Sequence, residues 1–294
     1  MRIDPAGRVV RSTPIPHSET NRGTPIRTFL HTVDGVTIDS VYDPPAVVYD
    51  ASASSARGLV FVVAHGFTGD ADRRHVRRVA ETFTQYGAVV TFSFRGHGAS
   101  GGRSTVGDRE VLDLAAAVEW ARSLGHTRVV TVGFSMGGSV VLRHAALYRR
   151  DETGDDSGRE GRTEAHSDAV VSVSAPARWY YRGTAPMRRV HWLITRPEGR
   201  LVGRYGLRTR IYHREWNPVP LSPVEAVPRI APTPLLVVHG DRDGYFPLDH
   251  PRMLAAAAGD HGELWLEPGM GHAENAAPDG LLKRIGDWAV AQGG

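Results

Sequence analysis

From Gly58 onward the chain alternates short apolar, β-branched runs with longer segments of helical periodicity, the pattern of a parallel sheet covered by helices. The runs that read as strands are residues 59–64, 88–94, 128–134, 169–174, 235–239 and 263–267. Helical spacing covers 72–86, 109–124, 136–149, 248–258 and 280–291. In the second of these Val111, Leu114, Val118 and Ala121 share one face, and Asp108 stands where an N-cap belongs. Upstream, the β-prone runs 26–33 and 36–42 flank Asp34 and Gly35, a pair that favours a tight hairpin turn. Two antiparallel strands followed by six parallel ones predict an α/β fold on an eight-stranded, mostly parallel sheet flanked by helices.

Two segments break the alternation. Residues 150–167 are charged and almost free of apolar side chains, which predicts a solvated surface loop. Residues 176–227 separate two strands by more than an ordinary connection, so a short lid is expected there, after the sixth strand. Residues 1–24, polar and interrupted by Pro5, Pro14 and Pro16, read as a flexible arm preceding one domain over 25–294. A chain of 294 residues with 41% hydrophobic content can bury one large core.

Composition narrows the chemistry. The absence of cysteine excludes disulfides, thiolate zinc sites and a cysteine nucleophile. The acidic residues of 150–167 lack calcium-loop spacing, so no metal is expected. A formal net charge of +3, with no base-reading motif, argues against a nucleic-acid partner. No apolar run reaches signal-peptide or membrane-span length, and a cytoplasmic location is expected.

Gly133, Phe134, Ser135, Met136 and Gly137 spell GxSxG, with a predicted strand before it and a predicted helix behind. The motif alone is weak evidence, but that setting forces a sharp turn that exposes the serine hydroxyl at the carboxyl edge of the sheet. A serine hydroxyl needs a base within hydrogen-bond reach, and the base needs a third group to orient it. For such a turn the expected chain order is serine, acid, histidine. His272 follows the last strand and Ser135's edge is the one it reaches, whereas His261 precedes that strand. Asp241 and Asp243 both follow the strand 235–239, and either could merely cap its turn. The backbone N–H groups of Phe67, after the first parallel strand, and Met136 are the expected oxyanion donors. His65 is read as a brace for that turn, and Arg95 as the holder of the turn Gly96-His97-Gly98.

Five motifs in order now stand on the chain: VAHGF from Val63, FRGHGASGG from Phe94, GFSMGG from Gly133, HGDRD from His239 and GMGH from Gly269. Together they resemble the α/β-hydrolase superfamily, with most similarity to bacterial esterases related to monoacylglycerol lipases and lysophospholipases. The resemblance implies hydrolysis of a small-molecule carboxylic ester through an acyl-enzyme, no cofactor, and a lid between the sixth and seventh strands. It also implies that the acid is the second aspartate of HGxxD, here Asp243. The same triad could serve thioesters, amides, lactones or peptides. A non-catalytic ligand-binding protein of this fold is the competing class, against which the three filled triad positions argue.

Between Pro176 and Trp216 lie ten arginines and two glutamates, Glu198 and Glu215, a net of +8. Trp179, Tyr180, Tyr181, Trp192, Tyr205, Tyr212 and Trp216 are interleaved with them. Arg196, Arg200, Arg204 and Arg208 recur every fourth residue, but Gly199, Gly203 and Gly206 argue against a helix. One reading is a basic lid that transiently contacts anionic lipid or binds anionic substrates. The other is an arginine-biased lid whose side-chain stems snorkel along an acyl pocket. Lys283 is the only lysine of the chain, so a general arginine bias makes the second the default.

Overall fold

The computed structural model describes residues 23–46, 58–150 and 164–292. Most of the expected N-terminal arm and of the charged loop at 150–167 therefore lies outside the described residues. Eight strands form one sheet: β1 (Ile26–His31), β2 (Thr37–Asp43), β3 (Leu59–Ala64), β4 (Ala88–Phe92), β5 (Arg128–Phe134), β6 (Ala169–Val173), β7 (Leu235–Gly240) and β8 (Gly262–Glu267). Their order is β1-β2-β4-β3-β5-β6-β7-β8. β2 runs antiparallel to β1 and β4, and every later pairing is parallel. After β3 the chain steps to one side for β4 and crosses back for β5. The carboxyl ends of β3 and β5 thus flank a switch point, where open α/β sheets bind ligands.

The central strands are apolar on both faces because both faces are covered. Val60 and Val62 point into one core with α2 (Glu110–Ser123), α3 (Met136–Leu147) and α7 (Asp249–Ala258). Leu59, Phe61 and Val63 point into the other, with α1 (Arg74–Phe83) and α9 (Asp279–Ala291). This explains why β3 to β7 read as continuous hydrophobic runs rather than as alternating ones.

Two expectations are corrected. Asp108 does not cap α2, whose N-cap is Arg109. The buried carboxylate of Glu110 instead turns back and accepts the N–H groups of Thr105, Val106 and Gly107 at 2.8, 3.0 and 2.9 Å, leaving Asp108 to face Arg143 at 3.5 Å. The glycine-rich stretch of the β6–β7 insertion is helical: α4 (Ala185–Thr195) is followed by α5 (Pro197–Gly206). Gly199 sits against the backbone of Trp192 and Leu193, where a Cβ would have no room, and Gly203 sits against Ile211. Close helix approach outweighs the local cost of glycine there. Downstream, the insertion is stitched to the loop after β4: Arg210 donates to the Gly96 carbonyl at 2.7 Å, Ser104 to Arg210 at 2.8 Å and Tyr212 to Ser104 at 2.8 Å. Two short helices, α6 (Pro223–Ala226) and α8 (Ala273–Ala276), complete the elements discussed. No helix among the described residues is long and apolar enough to cross a membrane.

Candidate active site

Ser135 sits between β5 and α3 with φ 52° and ψ −112°, a conformation that costs a non-glycine residue about 1–3 kcal/mol and persists only where the surroundings impose it. Gly133 and Gly137 are those surroundings. A methyl on Gly133 would run into the Gly137 carbonyl, and one on Gly137 into the carbonyls of Ala64 and His65. The Ser135 N–H is anchored on the Val173 carbonyl at 2.9 Å, so the turn is held from β6 as well.

His272 Nε2 lies 2.9 Å from Ser135 Oγ, and His272 Nδ1 lies 2.8 Å from Asp243 Oδ2. An ionised carboxylate only accepts, so the imidazole proton sits on Nδ1 and the Nε2 lone pair faces the serine hydroxyl. The Asp243 side chain is 1% exposed. Its Oδ1 accepts the N–H groups of Tyr245 and Phe246 at 2.7 and 3.1 Å. Burial alone would raise this carboxyl, but His272 and the Tyr245 N–H outweigh it and hold it below the ordinary carboxylate range. Asp241 points elsewhere: its Oδ1 accepts the Gly269 N–H at 2.6 Å and braces the loop that carries His272. The structure thus brings Asp243, and not Asp241, to the histidine. His261 lies before β8, away from this edge.

The N–H groups of Phe67 and Met136 have no acceptor among the described residues, and both residues line one cavity with Ser135. The loop bearing Phe67 is fixed by His65, whose Nδ1 donates to the Gly66 carbonyl at 2.7 Å while Nε2 accepts the Phe94 N–H at 3.0 Å. Burial pushes the His65 pKa down to about 3, so this brace stays neutral. Arg95 is buried between Asp113 and Asp34, at 2.8 and 2.7 Å, and holds the next turn.

Three residues escaped sequence reasoning. Tyr245 stacks on the His272 ring, with centroids 4.1 Å apart and planes at 22°, and Phe246 meets the same ring edge-on at 5.7 Å. Their signal was available as two aromatics one glycine after HGDRD. Glu274 gave only a weak one, as an acid in the apolar stretch after His272. Its Oε1 accepts the Gly66 N–H at 3.0 Å and ties the loop bearing Phe67 to the loop bearing His272.

The cavity above Ser135 has a volume of about 910 Å³. Its floor includes Ser135, His272, Phe67 and Met136, and much of its wall comes from the β6–β7 insertion. Trp179 and Trp216 meet there edge to face at 5.1 Å, with Tyr180 5.6 Å from Trp216. The Trp216 indole is anchored on the Thr105 carbonyl at 2.8 Å. Among the described residues no group of His, Asp and Glu is arranged to hold a metal ion.

This architecture recurs in known proteins. The model of the Alpha/beta hydrolase family matches residues 59–284. A monoacylglycerol lipase of Mycolicibacterium smegmatis is 27% identical over 268 residues, 83% of this chain and 93% of that protein. Esterase LipC of Mycobacterium tuberculosis is 31% identical over 176 residues, 56% of this chain and 40% of that protein. Among solved structures, the esterase Pf2001 of Pyrococcus furiosus shares the fold at a TM-score of 0.66 and 21% identity, covering 92% of this chain and 94% of its own.

Proposed function

The chain belongs to the alpha/beta hydrolase family, and from that membership we propose that it is a serine esterase that cleaves carboxylic esters through Ser135, His272 and Asp243. Ser135 Oγ attacks the acyl carbon as His272 Nε2 takes its proton, and the carbonyl oxygen becomes an oxyanion held by the N–H groups of Phe67 and Met136. Collapse of this intermediate breaks the bond to the alcohol oxygen, which receives the proton from His272 Nε2 and leaves. Water then attacks the acyl-enzyme, giving its proton to Nε2. The acid departs as Ser135 is reprotonated. Asp243 stays ionised throughout and stabilises the imidazolium that forms twice in the cycle. The β6–β7 insertion serves as a lid over the acyl pocket.

The observation that carries this reading is the unbroken pair of hydrogen bonds, 2.9 Å from Ser135 Oγ to His272 and 2.8 Å from His272 to Asp243. The names of the relatives, a monoacylglycerol lipase and an esterase, support an ester as the substrate. The test is labelling by a fluorophosphonate probe beside hydrolysis of nitrophenyl esters of graded acyl length. Wild type should label and hydrolyse, and Ser135→Ala should do neither. An unlabelled, folded wild type would leave a ligand-binding protein of the same fold, and equal labelling of both would remove Ser135 from the nucleophile's role.

A further inference from the structure

Arg178, Arg182, Arg189, Arg200 and Arg214 of the β6–β7 insertion line the cavity above Ser135. Some arginines elsewhere sit on carboxylates, among them Arg27 on Asp39, Arg77 on Asp43, Arg95 on Asp113, Arg122 on Asp168 and Arg284 on Glu267, all within 3.0 Å, while others, such as Arg74, Arg103 and Arg252, have no carboxylate partner among the described residues. In the insertion only Arg178 has such a partner among the described residues, Asp249 at 2.8 Å. Arg200 donates to the carbonyls of Ile194 and Thr195 at 3.3 and 3.0 Å, which leaves its charge uncompensated. The guanidinium groups of Arg182, Arg189 and Arg214 have neither a carboxylate nor a hydrogen-bond acceptor among the described residues. Two carboxylates share the lining. Glu274 is tied to the Gly66 N–H at the floor, and Glu215 is exposed.

A general arginine bias accounts for unpaired arginines as such, but here three of them line the cavity that holds Ser135, and neither lining carboxylate pairs with them. We infer that the cavity selects esters carrying a negatively charged carboxylate, phosphate or sulfate, which Arg182, Arg189 and Arg214 hold in their planar forks while the aromatic wall of Trp179 and Trp216 covers the apolar part. The inference rests on the esterase reading, because it names which esters that site prefers.

The test uses two pairs of soluble esters, each below its aggregation concentration. Nitrophenyl hydrogen adipate against nitrophenyl methyl adipate places the charge on the acyl side. Hexanoyloxybenzoate against its methyl ester places it on the alcohol side. In at least one pair the charged member should have a KM lower by about tenfold at low salt, since each exposed ion pair contributes roughly a twofold to fivefold gain. At about 0.5 M salt, where the screening length is roughly 4 Å, the advantage should shrink toward parity. Arg182→Gln, Arg189→Gln and Arg214→Gln combined should bring the KM ratio close to one. Arg196→Gln, Arg204→Gln and Arg208→Gln combined, an equal charge loss on arginines that do not line the cavity, should keep the wild-type ratio. Equal KM values within both pairs, or the same collapse in both triple variants, would overturn the inference. A preference seen only with anionic vesicles present would overturn it as well, by assigning the charge to a membrane surface. If none of the four esters is turned over, the esterase reading fails, and titration of the same esters into the Ser135→Ala variant still decides the charge question. Equal affinity within each pair overturns it, and tighter binding of the charged member supports it.

Discussion

Asp243→Asn preserves the size of the side chain and reverses one hydrogen bond. The amide oxygen can take over the Tyr245 and Phe246 N–H groups, now accepted by Oδ1 at 2.7 and 3.1 Å. The NH2 group must then stand where Oδ2 stands, 2.8 Å from His272 Nδ1. A donor in that place requires Nδ1 to accept, which moves the ring proton to Nε2, 2.9 Å from Ser135 Oγ, where the lone pair of the base is needed. A wrong-tautomer substitution of this kind lowers kcat on the order of 10⁴-fold, which at about 1.4 kcal/mol per tenfold is roughly 5 kcal/mol. Asp241→Asn is the internal comparison. Its Oδ1 accepts only the Gly269 N–H at 2.6 Å, and an amide oxygen can keep that bond. Losing the charge assistance there should cost about 1 kcal/mol of loop stability and leave kcat within a few-fold. The assay is nitrophenyl butyrate hydrolysis with kcat and KM determined separately, beside a thermal melt for each variant. A kcat for Asp243→Asn within about tenfold of wild type, or an equal loss in Asp241→Asn, would refute the assignment of the two aspartates.

Three further outcomes follow from the packing. Burial pushes His65 and His144 down to about 3 and His250 down to about 4, whereas in the unfolded chain all three titrate near ~6.5. Below that value the unfolded state binds more protons, so stability is complete near neutrality and falls as the pH drops from about 6.5, by up to about 1.4 kcal/mol per pH unit for each histidine, towards about 3 for His65 and His144 and about 4 for His250. His144, whose ring nitrogens have no hydrogen-bond partner among the described residues and whose ring stacks on Tyr148 at 4.7 Å, can be replaced by Phe. Urea midpoints at several pH values should then show a slope shallower by one proton, and an unchanged slope would remove His144 from the account. Gly137→Ala drives a methyl into backbone carbonyls, at a cost of about 1–3 kcal/mol or more, so Tm should fall by several degrees with loss of fluorophosphonate labelling. Gly280→Ala, with nothing within 4 Å of the new methyl, should leave Tm level or raise it. Glu274→Ala should lower kcat about tenfold, through release of the Gly66 N–H, while Glu274→Gln keeps an acceptor and most of the rate. Equal kcat in the two variants would show that the bond does not position the oxyanion loop.

The sheet was legible because its central strands are covered on both faces, so Val60, Phe61 and Val62 announce themselves without any knowledge of what covers them. Ser135 and His272 were legible because each is tied to the end of a strand. Other features depend on partners that only the fold supplies. Asp241 and Asp243 occupy the same turn, and their difference lies in which backbone N–H groups each carboxylate meets. The helicity of 197–206 is not legible in the sequence because glycine's penalty is local, while its advantage, close approach to Trp192 and Ile211, is tertiary. Glu110 displaced Asp108 at the start of α2 for a similar reason. It reaches back to three amides of a loop whose path the sequence does not show.

The β6–β7 insertion leaves the sheet after Val173 and rejoins it at Leu235, and Phe67, Ser135, Met136, Asp243 and His272 all lie outside it. In the proposed mechanism, bond breaking and choice of substrate are therefore written on separable stretches of chain. A chimera that exchanges residues 176–227 for the equivalent segment of a relative would carry away much of the cavity wall and leave the reacting groups in place. The backbone seam at Gly96 and Ser104 is the graft's docking strip, and an incoming segment must reproduce the Arg210 and Tyr212 pairings to seat itself. Selection can act on the insertion as a cassette, changing the diet of the enzyme without reopening the question of how it cuts.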